Sequence, residues 1–382
     1  MNALIRPFPR RAAKLAGALA LLLGLAACAS GSKRPEPAPL TPLNARVAVR
    51  LVWNVATGPV APHLQPAVVG GSLYTANAQG QVSHWAVDNG ALRWRAELGT
   101  ALSAGVGSDG RTAAVVTVGN ELVALGDGAE RWRTHLAARV ITPPLVAGER
   151  VFVLAADRSV SAFDGATGRR LWTQASRGVE PLVLEQPGVL LAVGDTLVAG
   201  IGGRLTGLNP GNGSVRWSAP LASPRGVNEI ERLVDLVAGV GRVGDVVCVR
   251  AFQAAVGCVD ASQGTLAWTR AANGAVGVHA DAQRVYGAEA NGRLQAWSRS
   301  SGEPAWSTDA LRHRGLTAPL VLGNSLAVGD AQGLVHLLSV ADGSLLNRLS
   351  TDGSPIRATP VLAGNTLIVQ TRNGGVFAWR PE

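Results

Sequence analysis

The stretch SAFDGATGRRLW, residues 161–172, decides how the chain is read. A small residue, Ala162, is followed by Asp164 and by the pair Thr167 and Gly168, and Trp172 comes four residues after that glycine. The glycine-to-tryptophan step recurs at Gly90 and Trp94, Gly128 and Trp132, Gly213 and Trp217, Gly264 and Trp268, and Gly302 and Trp306. Gly343 keeps the glycine but has Asn347 in the tryptophan position, and Trp53 lies one period ahead of Trp94. The positions are 38 to 51 residues apart, the repeat length of a four-stranded propeller blade. Seven of the ten tryptophans share this register, so they mark a repeat rather than a scattered core.

Each unit carries the strand chemistry that such a blade needs. In residues 65–96, the short apolar run Pro66 to Val69 precedes Gly70 and Gly71. SLYTA and QVSHWAV then flank the turn NAQG, and ALRWRA follows the turn DNG. That order predicts four short strands joined by tight turns. The last unit, TPVLAGNTLIVQTRNGGVFAW, ends at Trp379 with three strands, while RVAVRLVW, residues 46–53, stands alone at the other end. A ring with an open edge would expose unpaired backbone groups. The expectation is therefore an all-β, eight-bladed propeller over residues 46–382, its last blade completed by the N-terminal strand.

Composition fits many buried strands: 47% hydrophobic residues, 47 glycines and 16% charged residues in 382. It does not fit a disordered chain or a coiled coil. Of the net charge of +9, four positive charges (Arg6, Arg10, Arg11 and Lys14) fall in the first 27 residues, which contain no acid. The remainder is dispersed, without the basic stripe of a nucleic-acid-binding protein. Those first residues read as a signal peptide, a basic start followed by LAGALALLLGLAA, too short an apolar run to span a bilayer comfortably. The run ends in LAAC, residues 25–28, which resembles the lipobox of bacterial lipoproteins. That resemblance implies lipidation at Cys28, and Ala29 after it implies the outer membrane. Residues 28–45 read as the lipidated cysteine and a flexible tether rich in Pro, Ser and Ala.

The remaining cysteines, Cys248 and Cys258, flank VRAFQAAVG, a candidate hairpin that would set them opposite each other. A disulfide and a pair of buried thiols both suit that placement. The six histidines are widely separated and show no metal-ligand spacing. No nucleophile elbow, phosphate-binding loop or paired catalytic carboxylates stand out. The expectation is a non-enzymatic ring with no catalytic residue, cofactor or metal.

Ala162 to Trp172 matches A-x-D-x-x-T-G-x-x-x-W, and so resembles the tryptophan-docking motif of propellers related to the quinoprotein dehydrogenases. Those enzymes add an adjacent cysteine pair and a calcium-binding carboxylate cluster, and this sequence has no adjacent cysteines. With its lipobox, tether and ring, the chain is similar to the BamB family of lipoproteins of the β-barrel assembly machinery. NEIERLVDL, residues 228–236, resembles that family's E-I-[DE]-R-L-x-D segment, and PLVLEQPG, residues 181–188, resembles its L-x-L-R loop. The resemblance implies contact with the POTRA domains of BamA through Leu182, Leu184 and Asp235, with Glu185, Glu229 and Arg232 beside them. It also implies the other assembly-machinery lipoproteins as partners, with unfolded outer-membrane proteins as candidate clients. Glu185 stands where relatives have Arg, and Val237 where they have a second Asp, so the charge pairing is expected to differ here. The competing reading is a periplasmic pyrroloquinoline-quinone-type dehydrogenase or a ligand-binding propeller.

Overall fold

The computed structural model describes residues 35–175, 184–223 and 233–382. The segment expected as a signal peptide and Cys28 lie outside the described residues. The chain divides into two units, Met1–Pro37 and Ala38–Glu382, and the second is the propeller. Among the described residues it holds eight four-stranded antiparallel sheets, and every regular element is a strand. Blades 1 to 7 follow the chain over residues 67–97, 102–135, 145–174, 190–220, 236–271, 278–308 and 320–350. In blade 3 the strands, from the axis outward, are Leu145–Ala147, Arg150–Leu154, Val160–Asp164 and Arg170–Gln174.

Blade 8 joins the two ends of the propeller. Its inner three strands are Val361–Ala363, Thr366–Gln370 and Gly375–Pro381, and its outer strand is Val49–Ala56 from the N-terminal side. Val49 pairs with Pro381 and Ala56 with Gly375. The closure expected from the lone first strand is therefore present.

The repeat motif now has a physical account. Asp164 Oδ1 accepts hydrogen bonds from the amides of Ala166 and Thr167 and from the Thr167 hydroxyl, at 3.1, 2.8 and 2.8 Å. The Gly168 amide donates to the Asp164 carbonyl at 2.9 Å, and its φ of +73° is one that glycine adopts without steric cost. A second constraint acts on the same glycine, because a Cβ placed there would lie 2.5 Å from the ring of Trp132, the docking tryptophan of blade 2. Each tryptophan therefore lies on the turn glycine of the next blade. Trp53 covers Gly90, Trp94 covers Gly128, Trp172 covers Gly213, and the series runs on to Trp306 over Gly343. Several indoles also donate across the junction, Trp53 to Val87 O at 2.7 Å and Trp132 to Gly165 O at 2.9 Å.

Ala162 completes the motif. It pairs directly with Trp172, and the register shifts by one residue just beyond it. That bulge re-aims the outer strand, and small residues recur opposite the indole, with Ala124 facing Trp132, Gly207 facing Trp217 and Ala296 facing Trp306. Between blades, alternate faces of neighbouring sheets interdigitate. Val115 and Val123 of blade 2 pack with Tyr74 and Val82 of blade 1, and each such buried aliphatic stabilises the ring by about 2 kcal/mol.

The meander gives the ring two distinct ends. Links between blades and turns between second and third strands lie on one end, here the loop face. Turns carrying the docking glycines lie on the other, the motif face. Part of the segment expected as tether is held on the ring: Leu40 packs against the core of blades 6 and 7, and the Arg46 amide donates to Leu346 O at 2.8 Å.

Candidate partner-binding face

Two blade-to-blade links on the loop face carry the residues singled out from the sequence. Of these, Leu184, Glu185 and Asp235 are described, while Leu182, Glu229 and Arg232 lie outside the described residues. The described parts are knitted together. Gly188 and Val237 form an antiparallel bridge, and the Ala238 amide donates to Pro187 O at 2.8 Å. The Gly188 amide donates to Thr142 Oγ1 at 2.9 Å, tying the pair to the link before blade 3.

Asp235 is the centre of that knot. Its Oδ1 accepts from Arg158 Nε at 3.2 Å and Nη2 at 3.0 Å, and its Oδ2 accepts from the Leu184 amide at 3.1 Å. Both charged side chains are largely enclosed, Arg158 at 10% and Asp235 at 16% exposure. Both carboxylate oxygens of Asp235 are thus engaged within the chain, and the residue acts as a brace rather than a free rim charge. Breaking such an enclosed pair from one side strands the other charge. Glu185, by contrast, is on the open surface, paired with Arg139 at 2.5 Å, and both side chains are more than half exposed.

Leu184 is half-buried rather than bare to solvent. It lines a small cavity of about 50 Å³ with Ile141, Leu154 and Leu236. Val237, where an aspartate was the expected family residue, is 2% exposed. An aliphatic side chain suits that enclosed strand position without an ion partner. Arg158 and Arg139 were not singled out from the sequence. Arg158 left one trace there, being an arginine in the AADRS turn, where its φ of +62° is usually met by Gly, Asn or Asp.

Beside these loops, on the ring axis, is a cavity of about 650 Å³ lined by inner-strand and link residues of most blades, among them Pro62, His63, Pro144, Gln186, Gly239 and Arg357. Its lining includes a single carboxylate, Glu185, already held by Arg139. A calcium-bound quinone needs clustered carboxylates, and these residues do not fit it. Among the described residues no group of three or more His, Cys, Asp or Glu could hold a metal ion. Cys248 and Cys258 are not near an axial site either. They face each other across the second and third strands of blade 5, joined by a disulfide and fully buried.

Of the other histidines, His135 and His313 are exposed, and the remaining three pack within the blades. Burial, with Arg93 nearby, lowers the pKa of His84, whose Nε2 lies 2.9 Å from Ser72 Oγ. Burial also holds His279 and His336 below the ordinary histidine value. Such neutral rings suit a core.

A closed ring of docked-tryptophan blades, with two links locked together beside its axis, defines a propeller of the pyrroloquinoline-quinone-like repeat class. The sequence profile described as "Outer membrane protein assembly factor BamB" matches residues 78–308. The chain is 37% identical to the outer membrane protein assembly factor BamB of Burkholderia pseudomallei (strain K96243), over 98% of this chain and 99% of that protein. The crystal structure of BamB from Moraxella catarrhalis superimposes with a TM-score of 0.79 at 25% identity, covering 87% of this chain and all of that one. A quinohemoprotein alcohol dehydrogenase from Comamonas testosteroni shares the fold alone, with a TM-score of 0.67 at 14% identity over 87% of this chain and 76% of that one. The chain belongs to the BamB family of outer membrane protein assembly factors.

Proposed function

We propose that the chain is a non-enzymatic scaffold in the assembly of outer-membrane proteins. Residues 1–27 are its signal peptide, a lipidated Cys28 holds it at the periplasmic side of the outer membrane, and the propeller binds the POTRA domains of BamA. Membership in a family of outer membrane protein assembly factors supports the role. The observation that carries the site is the brace at Asp235, which fixes two neighbouring links in one arrangement. Loops ordered before a partner arrives lose less entropy on binding. Around the brace, Glu185 and Arg139 supply an exposed polar rim, which orients a contact more than it drives it.

Co-purification with BamA tests this reading. Leu182→Ala with Leu184→Ala is expected to weaken the complex while circular dichroism stays unchanged. Truncating one such anchor costs on the order of 2 kcal/mol, about thirtyfold in affinity. Glu185→Lys is expected to produce a smaller loss that shrinks as salt rises. Undiminished co-purification of the folded double-leucine variant refutes the site. Release of Cys28→Ala from the membrane fraction is the matching expectation for the anchor.

A further inference from the structure

Residues 38–47 run antiparallel along the outer edge of blade 7. At the motif-face end, Asn347 Nδ2 donates to Val47 O at 2.8 Å and the Arg46 amide to Leu346 O at 2.8 Å. Halfway up, Arg348 Nη2 donates to Thr41 O at 3.3 Å, and Leu40 sits against the core of blades 6 and 7. At the loop-face end, the Ala38 amide donates to Arg312 O at 2.8 Å, and its carbonyl accepts from Arg314 Nη1 at 3.0 Å.

Arg314 is not a surface side chain that happens to reach the backbone. It is 3% exposed, and its Nε donates to Asp330 Oδ2 at 2.8 Å. The same Oδ2 lies 3.0 Å from His336 Nε2, and Asp330 Oδ1 accepts the amides of Gln332 and Leu334 at 2.9 Å. Asp330 and His336 have no exposed surface. A guanidinium locked in this way offers the Ala38 carbonyl a donor of fixed position, so the docking point costs little further ordering.

The docking point matters because of which end it occupies. Arg312 and Arg314 belong to the link between blades 6 and 7, and Asp330 to the turn after the second strand of blade 7. Both lie on the loop face, together with the links that hold Leu184, Glu185 and Asp235. We propose that residues 38–47 are a docked strap that makes the tether leave the ring from its partner-binding face, so that an anchor at Cys28 holds that face toward the bilayer. The inference rests on the lipidation proposed above. Ten residues, 28–37, separate the strap from that anchor point, and ten residues span at most about 35 Å. The motif face lies farther from the bilayer by the height of the blades, and a partner gripped by the loop face lies between ring and membrane.

The test uses the full chain, purified in its acylated form and reconstituted in phospholipid vesicles that carry acceptor-labelled lipid. Val118, 60% exposed, and Arg111, also exposed, flank the strand Ala113–Thr117 on opposite ends of blade 2. With Cys28 acylated and Cys248 bonded to Cys258, Val118→Cys or Arg111→Cys introduces a single free thiol for a donor dye. Energy transfer to the lipid is expected to be at least twofold stronger from position 118 than from position 111. Equal transfer, or stronger transfer from 111, overturns the orientation. Amide hydrogen exchange on the same protein is expected to be slower over residues 38–47 than over 29–37, and equal unprotected exchange overturns the strap. Intact mass reports the lipid separately. A chain without it defeats the anchor, while the exchange measurement still decides the strap.

Discussion

Seven of the eight blade junctions and the eighth solve one problem in two ways. At the seven, an indole from one blade covers a turn glycine of the next, from Trp53 on Gly90 to Trp306 on Gly343. At the junction of blades 7 and 8 there is no such turn, because the third and outer strands of blade 8 come from opposite ends of the chain. A tryptophan at position 347 would have no glycine to cover. Asn347 instead donates to Val47 O, gripping the chain just before it enters blade 8. The missing tryptophan at 347 thus follows from the closure itself, and Leu337 stands opposite Asn347 where blades 2 to 6 place Ala, Gly or Cys opposite the indole.

The largest effect should come from removing the closing strand. Deleting residues 46–53 leaves a three-stranded blade with an open edge, and we expect aggregation or proteolysis in place of a cooperative melt. An unchanged melting temperature would break the comparison outright. Next comes a matched pair of glycines in blade 3, both at positive φ. A Cβ at Gly168 meets Trp132 at 2.5 Å, whereas nothing lies within 4 Å of one at Gly148. Gly168→Ala should cost about 2–4 kcal/mol through crowding added to backbone strain, and Gly148→Ala about 1 kcal/mol from strain alone, both read by denaturant titration. Equal losses would show that the indole contact adds nothing. Asn347→Trp should destabilise by about 1 kcal/mol, the worth of the lost hydrogen bond; a gain in stability would mean that the eighth junction follows the common rule after all.

The smallest effect is set by pH. Burial holds His336 neutral with a pKa below the ordinary value, despite Asp330 beside it. The unfolded chain binds a proton on this ring as pH falls below about 6.5, whereas the folded chain does not until a lower pH. The associated stability is therefore complete above that value and is lost as pH falls through the folded pKa. Between pH 7.5 and 5.5 the melting temperature should drop on the order of 2 °C, and His336→Gln should flatten that slope. Exchange protection should weaken first in blade 7, where the strap is docked.

The ring was legible because its defining contacts are local and repeated. Asp164, Gly168 and Trp172 lie within nine residues, and the same spacing recurs around the chain. The closing strand was legible by subtraction, from three strands at one end and a lone strand at the other. The disulfide was half legible, since the hairpin between Cys248 and Cys258 set them face to face without deciding their redox state. The loop face was harder to read. Asp235 looked like a surface charge because Arg158, its partner, lies 77 residues away in an ordinary-looking turn. Leu184 looked exposed because nothing local announces Ile141 and Leu236 beside it. Periodicity reveals contacts that every blade makes, and it is silent on a contact made once.

The pairing of Val49 with Pro381 also sets a timetable for folding. A chain made from its N-terminus offers the strand Val49–Ala56 before any of blades 1 to 7, and its partner Gly375–Pro381 only after all of them. Blades 1 to 7 can form in order from nearby contacts, but the circle cannot shut until residues 375–381 have been made. Through that interval the first strand has no mate, and Leu51 within it, still 49% exposed in the finished ring, adds to the apolar surface left waiting. Closure over so long a separation in sequence is slow, and such unpaired edges invite wrong partners. The molecule is thus most vulnerable just before its ring closes, and loss of residues 375–381 should be more harmful than its size suggests.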